Sequence, residues 1–201
     1  MEQGVGNTII AECKRKKNDK APAVFYADHM DYDGASYNYG DMDTVSMYAS
    51  GMRYGGILAE NFSGFIKMTF RDGRKLKWKI AGNSFLGIGK IKLKKEYFAA
   101  MYEACLLTFF KARAAQYLET IRGGGSVTVS NVTIDANVIS GKSGLKKGET
   151  PISELGGAEL GSGFVRILQK DMTHTAVNPI ATKFDNAVVL VPLVNALVSG
   201  K

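Results

Sequence analysis

Residues 136–143, Ala136-Asn137-Val138-Ile139-Ser140-Gly141-Lys142-Ser143, have the spacing of a relaxed phosphate-binding loop in which alanine replaces the first glycine. Such a loop works only where a strand runs straight into a helix, whose N-terminal amides and dipole hold the phosphates. The next residues, Gly144-Leu145-Lys146-Lys147-Gly148-Glu149-Thr150-Pro151, make a poor helix, and no apolar strand ending in aspartate offers a magnesium partner. The expectation here is a strand-to-strand turn, with a nucleotide-binding enzyme acting through Gly141, Lys142 and Ser143 as an alternative. Residues 82–90 are also glycine-rich but match neither the dinucleotide nor the triphosphate fingerprint, and read as a flexible connection. His29 and His174 each stand alone, in no metal-ligand spacing. Asp28, Asp31, Asp33, Asp41 and Asp43 lack the loop spacing and closing glutamate of a calcium site, and read as turn-forming or solvated. Cys13 and Cys105, the two cysteines, suggest neither a disulfide framework nor a thiolate metal site and read as buried thiols. No catalytic set, metal or cofactor is expected.

The chemistry that remains is basic. Lys14, Arg15, Lys16 and Lys17 sit in a loop between the expected strands 8–11 and 23–26, and Lys67, Arg71, Arg74, Lys75, Lys77 and Lys79 crowd a second segment. In that segment Ile66, Met68 and Phe70 alternate with Lys67, Thr69 and Arg71, and Leu76, Trp78 and Ile80 alternate with Lys75, Lys77 and Lys79, the period of two that marks half-buried strands. A two-residue turn at Asp72-Gly73 would place lysines on the apolar face. A three-residue loop, Arg71-Asp72-Gly73, with Gly73 left-handed in a bulge, instead pairs Met68 with Leu76, Ile66 with Trp78 and Lys67 with Lys77. Like charges opposed across strands cost about 0.2–1 kcal/mol each, so their accumulation needs a reason. One reason is an anionic partner, and another is an edge strand protected from sheet-to-sheet aggregation.

Several further elements would position these groups. Asp31–Gly34 forms a turn, 35–39 a strand that continues beyond Gly40 through Val45 and Met47, and the glycine-rich stretch 50–64 a mobile connection. Residues 94–122 form a helix with a narrow polar strip of Glu96, Glu103, Lys111 and Arg113. Its apolar circumference, from Phe98 and Met101 through Leu106, Leu107, Phe109 and Phe110 to Leu118 and Ile121, is too wide for one sheet, so the helix is expected to pack on two sides and offers a route to oligomers. Gly123-Gly124-Gly125 ends it. Strands follow at 127–129, 132–134 and 164–168, then a closing helix over 185–199 interrupted by Pro192. The 201 residues suffice for one large domain or two small ones, and the net charge of +7 favours anionic partners. No apolar stretch reaches the roughly 18 residues that span a bilayer, and no basic-then-apolar leader is seen, so the expectation is a cytoplasmic protein.

The two halves share an order of elements. Gly34, a strand, Asp41-Met42 and Ser63-Gly64-Phe65 lead through a hairpin to a helix. Gly144, Pro151-Ile152-Ser153-Glu154-Leu155 and Ser162-Gly163-Phe164 lead through a strand pair to the closing helix, opened by Phe184-Asp185-Asn186. In this order the chain resembles bacterial proteins that carry two pleckstrin-homology-like modules in tandem, although the tryptophan usual near Pro151-Ile152 in such proteins is missing. The resemblance covers nearly the whole chain. It implies an α+β fold of two modules, 1–122 and 123–201, each a bent antiparallel sheet closed by a C-terminal helix, and it transfers no functional residues. The function expected is non-enzymatic binding of an anionic membrane surface or a protein partner through the basic loop and hairpin. Nucleic-acid binding, with Trp78, Tyr37 or Tyr39 stacking on bases, is the alternative, disfavoured because the register turns Trp78 away from the lysines.

Overall fold

The computed structural model describes residues 8–54, 59–85, 91–143 and 146–200. The fold is α+β, and the chain divides into two compact units: Met1–Asp43 with Met47–Phe109, and Thr44–Ser46 with Phe110–Lys201. The strands of the described residues form four antiparallel sheets, two of four strands and two of three.

In the first unit, β1 (Ala11–Cys13), β2 (Ala23–Phe25), β3 (His29–Tyr32) and β4 (Ala35–Asn38) make a meander, and β5 (Met42–Tyr54), β6 (Ala59–Phe70) and β7 (Lys75–Phe85) make a second. Asp33 and Gly34, both left-handed at φ 53° and 76°, form the tight turn between β3 and β4. A 3-10 turn, Tyr39–Asp41, breaks the backbone ladder between the two sheets, so the unit carries two sheets where one continuous bent sheet was expected. Cys13, Phe25 and Met30 from the first sheet and Ile66, Met68, Trp78 and Ile80 from the second are all buried, each worth about 1.5–3 kcal/mol if apolar and fully enclosed. Helix α1 (Ile91–Cys105) adds Phe98, Met101 and Cys105 to this core and meets β1, β6 and β7.

In the second unit β8 (Val127–Val129), β9 (Val132–Ile134), β10 (Val138–Ser143) and β11 (Lys146–Pro151) form the four-stranded sheet, and β12 (Leu155–Gly161), β13 (Phe164–Gln169) and β14 (Ile180–Ala181) the three-stranded one. The 3-10 turn Ile152–Glu154 separates them. Helices α2 (Lys111–Arg122) and α3 (Leu190–Ser199) complete the unit, α3 lying on β12 and β13 with Leu190, Leu193 and Val194 buried. Pro192 falls in the first turn of α3, where backbone amides lack intrahelical acceptors in any case.

The units repeat their hydrogen bonds as well as their order of elements. The Tyr26 amide donates to His29 O as Asp135 donates to Val138 O. Tyr39 donates to Asp28 O as Ile152 does to Asn137 O, and Arg71 donates to Asp41 O as Lys170 does to Glu154 O, both at 2.9 Å. Gly73 and Met172, each with positive φ, close matching turns onto Phe70 O and Gln169 O.

The hairpin register is the three-residue one: Ile66 opposes Trp78, Met68 opposes Leu76 and Lys67 opposes Lys77. Gly73 has φ 83°, and the Phe70 amide donates to Arg74 O at 3.0 Å. Other expectations shift. The first strand begins at Ala11, and Ile9 and Ile10 are exposed. The stretch 50–64 is mostly strand, in β5 and β6, with 55–58 outside the described residues. Residues 82–85 belong to β7, whereas Leu86, Gly87, Ile88, Gly89 and Lys90 lie outside the described residues. Ser63-Gly64-Phe65 lies within β6 and Ser162-Gly163 forms a turn, so those two motifs are not equivalent. Gly64 is required for packing, because a Cβ there would stand 2.7 Å from the Phe98 ring.

Helix α1 passes through a π turn, Leu106–Phe110, into α2. The inserted residue rotates the faces beyond it by about 100°. Two-sided burial is thus divided along the helix: Phe98, Met101, Cys105 and Phe109 are buried residues of the first unit, and Phe110, Ala114, Leu118 and Ile121 of the second. Gly124, at φ 82°, and the Gly125 amide on Thr120 O terminate the helix.

Candidate functional site

Alternation along β6 and β7 turns Ile66, Met68, Leu76, Trp78 and Ile80 inward and leaves Lys67, Lys75, Lys77 and Lys79 on the outer face, all exposed. Among the described residues none of these four lysines has an acidic side chain within ion-pair distance. Lys67 and Lys77 face each other, and Lys79 faces Phe65. The Lys77 ammonium lies 5.5 Å from the Phe65 ring centroid, and Phe65 stacks on Tyr48 of β5 at 5.8 Å with 28° between the planes.

Beyond this aromatic pair the same sheet holds an open groove of about 360 Å³, lined by Tyr48, Ser50, Asn61, Ser63, Ala81 and Asn83. Asn61 opposes Asn83 and Ser63 opposes Ala81 across the ladder, so short side chains on both strands create the depression. One face thus runs from unpaired lysines, through two rings, to a groove edged by carboxamides and hydroxyls.

Of the remaining basic residues, Lys14, Arg15 and Arg74 are held by acidic side chains. Arg74 Nε donates to Asp72 at 2.6 Å, Nη1 donates to Ser36 O at 2.8 Å, and the guanidinium covers Tyr37 at 5.0 Å. Arg71 is exposed at the hairpin tip. In the loop between β1 and β2, Lys14 pairs with Glu12 at 2.9 Å and Lys16 and Lys17 are exposed. Arg15 is bound to Asp19, donates to the Tyr32 hydroxyl at 2.6 Å and lies 5.7 Å from the Trp78 ring. Burial alone would raise the Asp19 carboxyl, but hydrogen bonds from the Arg15 amide and guanidinium take it below the usual carboxylate range. Arg15 therefore belongs to the Trp78 side of β7, opposite the lysines, and the loop and hairpin do not make one continuous row.

Trp78 is fully buried, and Tyr37 and Tyr39 nearly so, which removes all three as stacking surfaces. Tyr48 and Phe65 were hidden in the sequence by the glycines of 50–64. The signal was present, because Phe62, Gly64, Ile66, Met68 and Phe70 continue one period-two series and place Asn61, Ser63 and Phe65 on the lysine side.

Elsewhere, Gly141, Lys142 and Ser143 lie in β10, paired with Gly148, Lys147 and Lys146 of β11, while Gly144 and Leu145 fall outside the described residues. The segment runs from strand to strand, not into a helix. His29 pairs with Asp28 at 2.6 Å and stacks on Tyr26, and His174 pairs with Asp171 at 2.5 Å. The His174 side chain, then its backbone amide and that of Thr173, hold the Asp171 carboxyl far below the ordinary range. Among the described residues no group of three His, Cys, Asp or Glu is placed to hold a metal, and no helix is long and apolar enough to cross a membrane. Burial, then the charges of Glu103 and Glu12, pushes the Cys13 thiol up to about 11, and burial raises Cys105 as well. Neither is a ready nucleophile. The chain matches no protein-family model, and no curated protein or solved structure shows significant similarity to it.

Proposed function

We propose that the chain is a non-enzymatic binding protein built from two pleckstrin-homology-like modules, and that the outer face of β5–β7 in the first module meets an anionic partner. The repeated order in each unit, four strands, a 3-10 turn, three strands and a helix, supports the modular reading. One observation carries the functional reading: Lys67, Lys75, Lys77 and Lys79 share one face, and among the described residues no acidic side chain lies within ion-pair distance of them. Opposing Lys67 to Lys77 lowers stability, a cost that a bound anion relieves. The lysines stand two residues apart on β7, about 6.8 Å between neighbours, so several act on one partner at once.

The test is retention on immobilised heparin, a polyanion that presents charge alone, together with sedimentation with phosphatidylserine vesicles. The wild type is expected to bind at least one at low salt and to be released as salt rises. The variant Lys75→Glu/Lys77→Glu/Lys79→Glu is expected to bind neither. Equal behaviour of the variant and the wild type sinks the reading.

A further inference from the structure

The basic face carries more than charge. Of the large apolar side chains exposed among the described residues, Tyr48 is the one on this sheet, at 41 %, and it is stacked on Phe65. On one side of the rings lie the unpaired lysines, and on the other the groove with Asn61 and Asn83 opposed across the ladder. Carboxamides both donate and accept hydrogen bonds, rings offer a stacking surface, and ammonium groups two strand residues apart follow a chain of repeating negative charge. A duplex hides the faces of its bases, whereas a single strand presents bases and phosphates together.

We propose, resting on the anionic-partner reading above, that this face binds single-stranded nucleic acid: a base stacks on Tyr48, its edge enters the groove at Asn61 and Asn83, and the neighbouring phosphates run along Lys77, Lys79, Lys75 and Lys67. Asn61 and Asn83 act on the base edge and the lysines on the backbone, so preference among bases resides in the groove and most of the salt dependence in the lysines.

The experiment is fluorescence anisotropy of the full chain with labelled oligothymidylate and oligouridylate of about 12 nucleotides, within the site sizes typical of such surfaces, beside the heparin and vesicle measurements. Saturable binding is expected, with log affinity falling against log salt with a slope of about −2.8 for four phosphates of a single strand. Tyr48→Ala is expected to weaken oligonucleotide binding about tenfold and leave heparin retention unchanged, while Tyr48→Phe keeps wild-type affinity, because stacking needs the ring and not the hydroxyl. Circular dichroism confirms that both variants are folded. If Tyr48→Ala binds oligonucleotide as the wild type does, the stacking proposal is overturned and the anionic-partner reading stands. If vesicles or heparin bind and oligonucleotides do not, the proposal fails alone; if nothing binds, both fall.

Discussion

Lys67→Glu acts on stability and on binding with opposite signs, and so separates the two reasons a sheet would carry a row of lysines. Lys67 and Lys77 oppose each other directly across β6 and β7. Like charges so placed cost about 0.2–1 kcal/mol and opposite charges gain a similar amount, so exchanging repulsion for attraction is worth about 1 kcal/mol. The contact of Lys77 with Phe65 survives the substitution, so no cation–π loss offsets the gain. With a urea slope of about 2 kcal/mol/M, the unfolding midpoint of this unit rises by about 0.5 M. The screening length falls from about 10 Å at 0.1 M salt to about 3 Å at 1 M, so most of the gain vanishes at high salt. Affinity for heparin or oligonucleotide falls about tenfold at low salt, because the face loses one positive charge and acquires a negative one. A midpoint that stays level or drops at low salt refutes the reasoning from register and charge. A raised midpoint with undiminished binding leaves the lysines as protection of a sheet edge and nothing more.

Packing and ionisation give three further outcomes. Gly64→Ala drives a methyl group into the Phe98 ring, 2.7 Å away, and is expected to cost about 1–3 kcal/mol by urea unfolding, with Phe98→Leu in the same chain recovering part of it. Asn186 sits left-handed at φ 60°, accepts from the Val45 amide at 2.9 Å and donates to the Tyr117 hydroxyl at 2.9 Å. Asn186→Ala should cost about 2–4 kcal/mol and Asn186→Gly less, since glycine restores the backbone freedom but neither bond. Cys13 ionises at about 11 when folded against 9.0 as a free thiol, so only the unfolded chain releases its proton between those values. Stability is therefore intact below pH 9 and declines as pH rises toward 11, a fall that Cys13→Ala should reduce in chemical melts taken at successive pH values.

Where a period of two met a turn of known chemistry, the fold was legible. Asp72-Gly73 between alternating strands set the hairpin register, because the other register buried lysines, and the glycine run at 123–125 marked a helix end because one residue there must be left-handed. Two kinds of feature escaped. The stretch 50–64 read as a connection because Gly51, Gly55, Gly56 and Gly64 outweighed a weak alternation, yet Gly64 is a small residue demanded by Phe98 rather than a breaker. The π turn at Leu106–Phe110 escaped because an inserted residue leaves composition unchanged and alters only the phase of the faces beyond it. The candidate site was half legible for the same reason: the lysines were read from alternation, whereas Tyr48, Asn61 and Phe65 lay in or beside the stretch that glycine disguised.

The repeat itself argues for where binding resides. Matching hydrogen bonds align Asp28 with Asn137, Asp41 with Glu154 and Arg71 with Lys170, so the two units can be compared position by position. Where they differ, the first unit is the longer. Its β1–β2 connection, residues 14–22, carries Lys14–Lys17 and corresponds to the two-residue turn Ser130-Asn131, and its β5–β6 pair extends well past the lengths of β12 and β13. Lys67 lies on β6 and Lys75, Lys77 and Lys79 on β7, which is far longer than its counterpart β14, while the rings and the groove lie across β5, β6 and β7. In the second unit the corresponding short strands carry Glu159 opposite Arg166, an ion pair at 2.6 Å that neutralises its own face. A basic surface kept only to prevent strand-to-strand aggregation would be needed on β12–β14 as well, beyond the stretch at Ala158 that the Asn195 carboxamide caps. Its confinement to the elongated sheet favours a partner over protection, and Glu159→Lys offers a check: it adds charge to a face that carries the exposed Phe164 ring but neither the Tyr48–Phe65 stack nor the Asn61–Asn83 pair. That variant is expected to gain heparin retention while its dependence of oligonucleotide binding on Tyr48 remains that of the wild type.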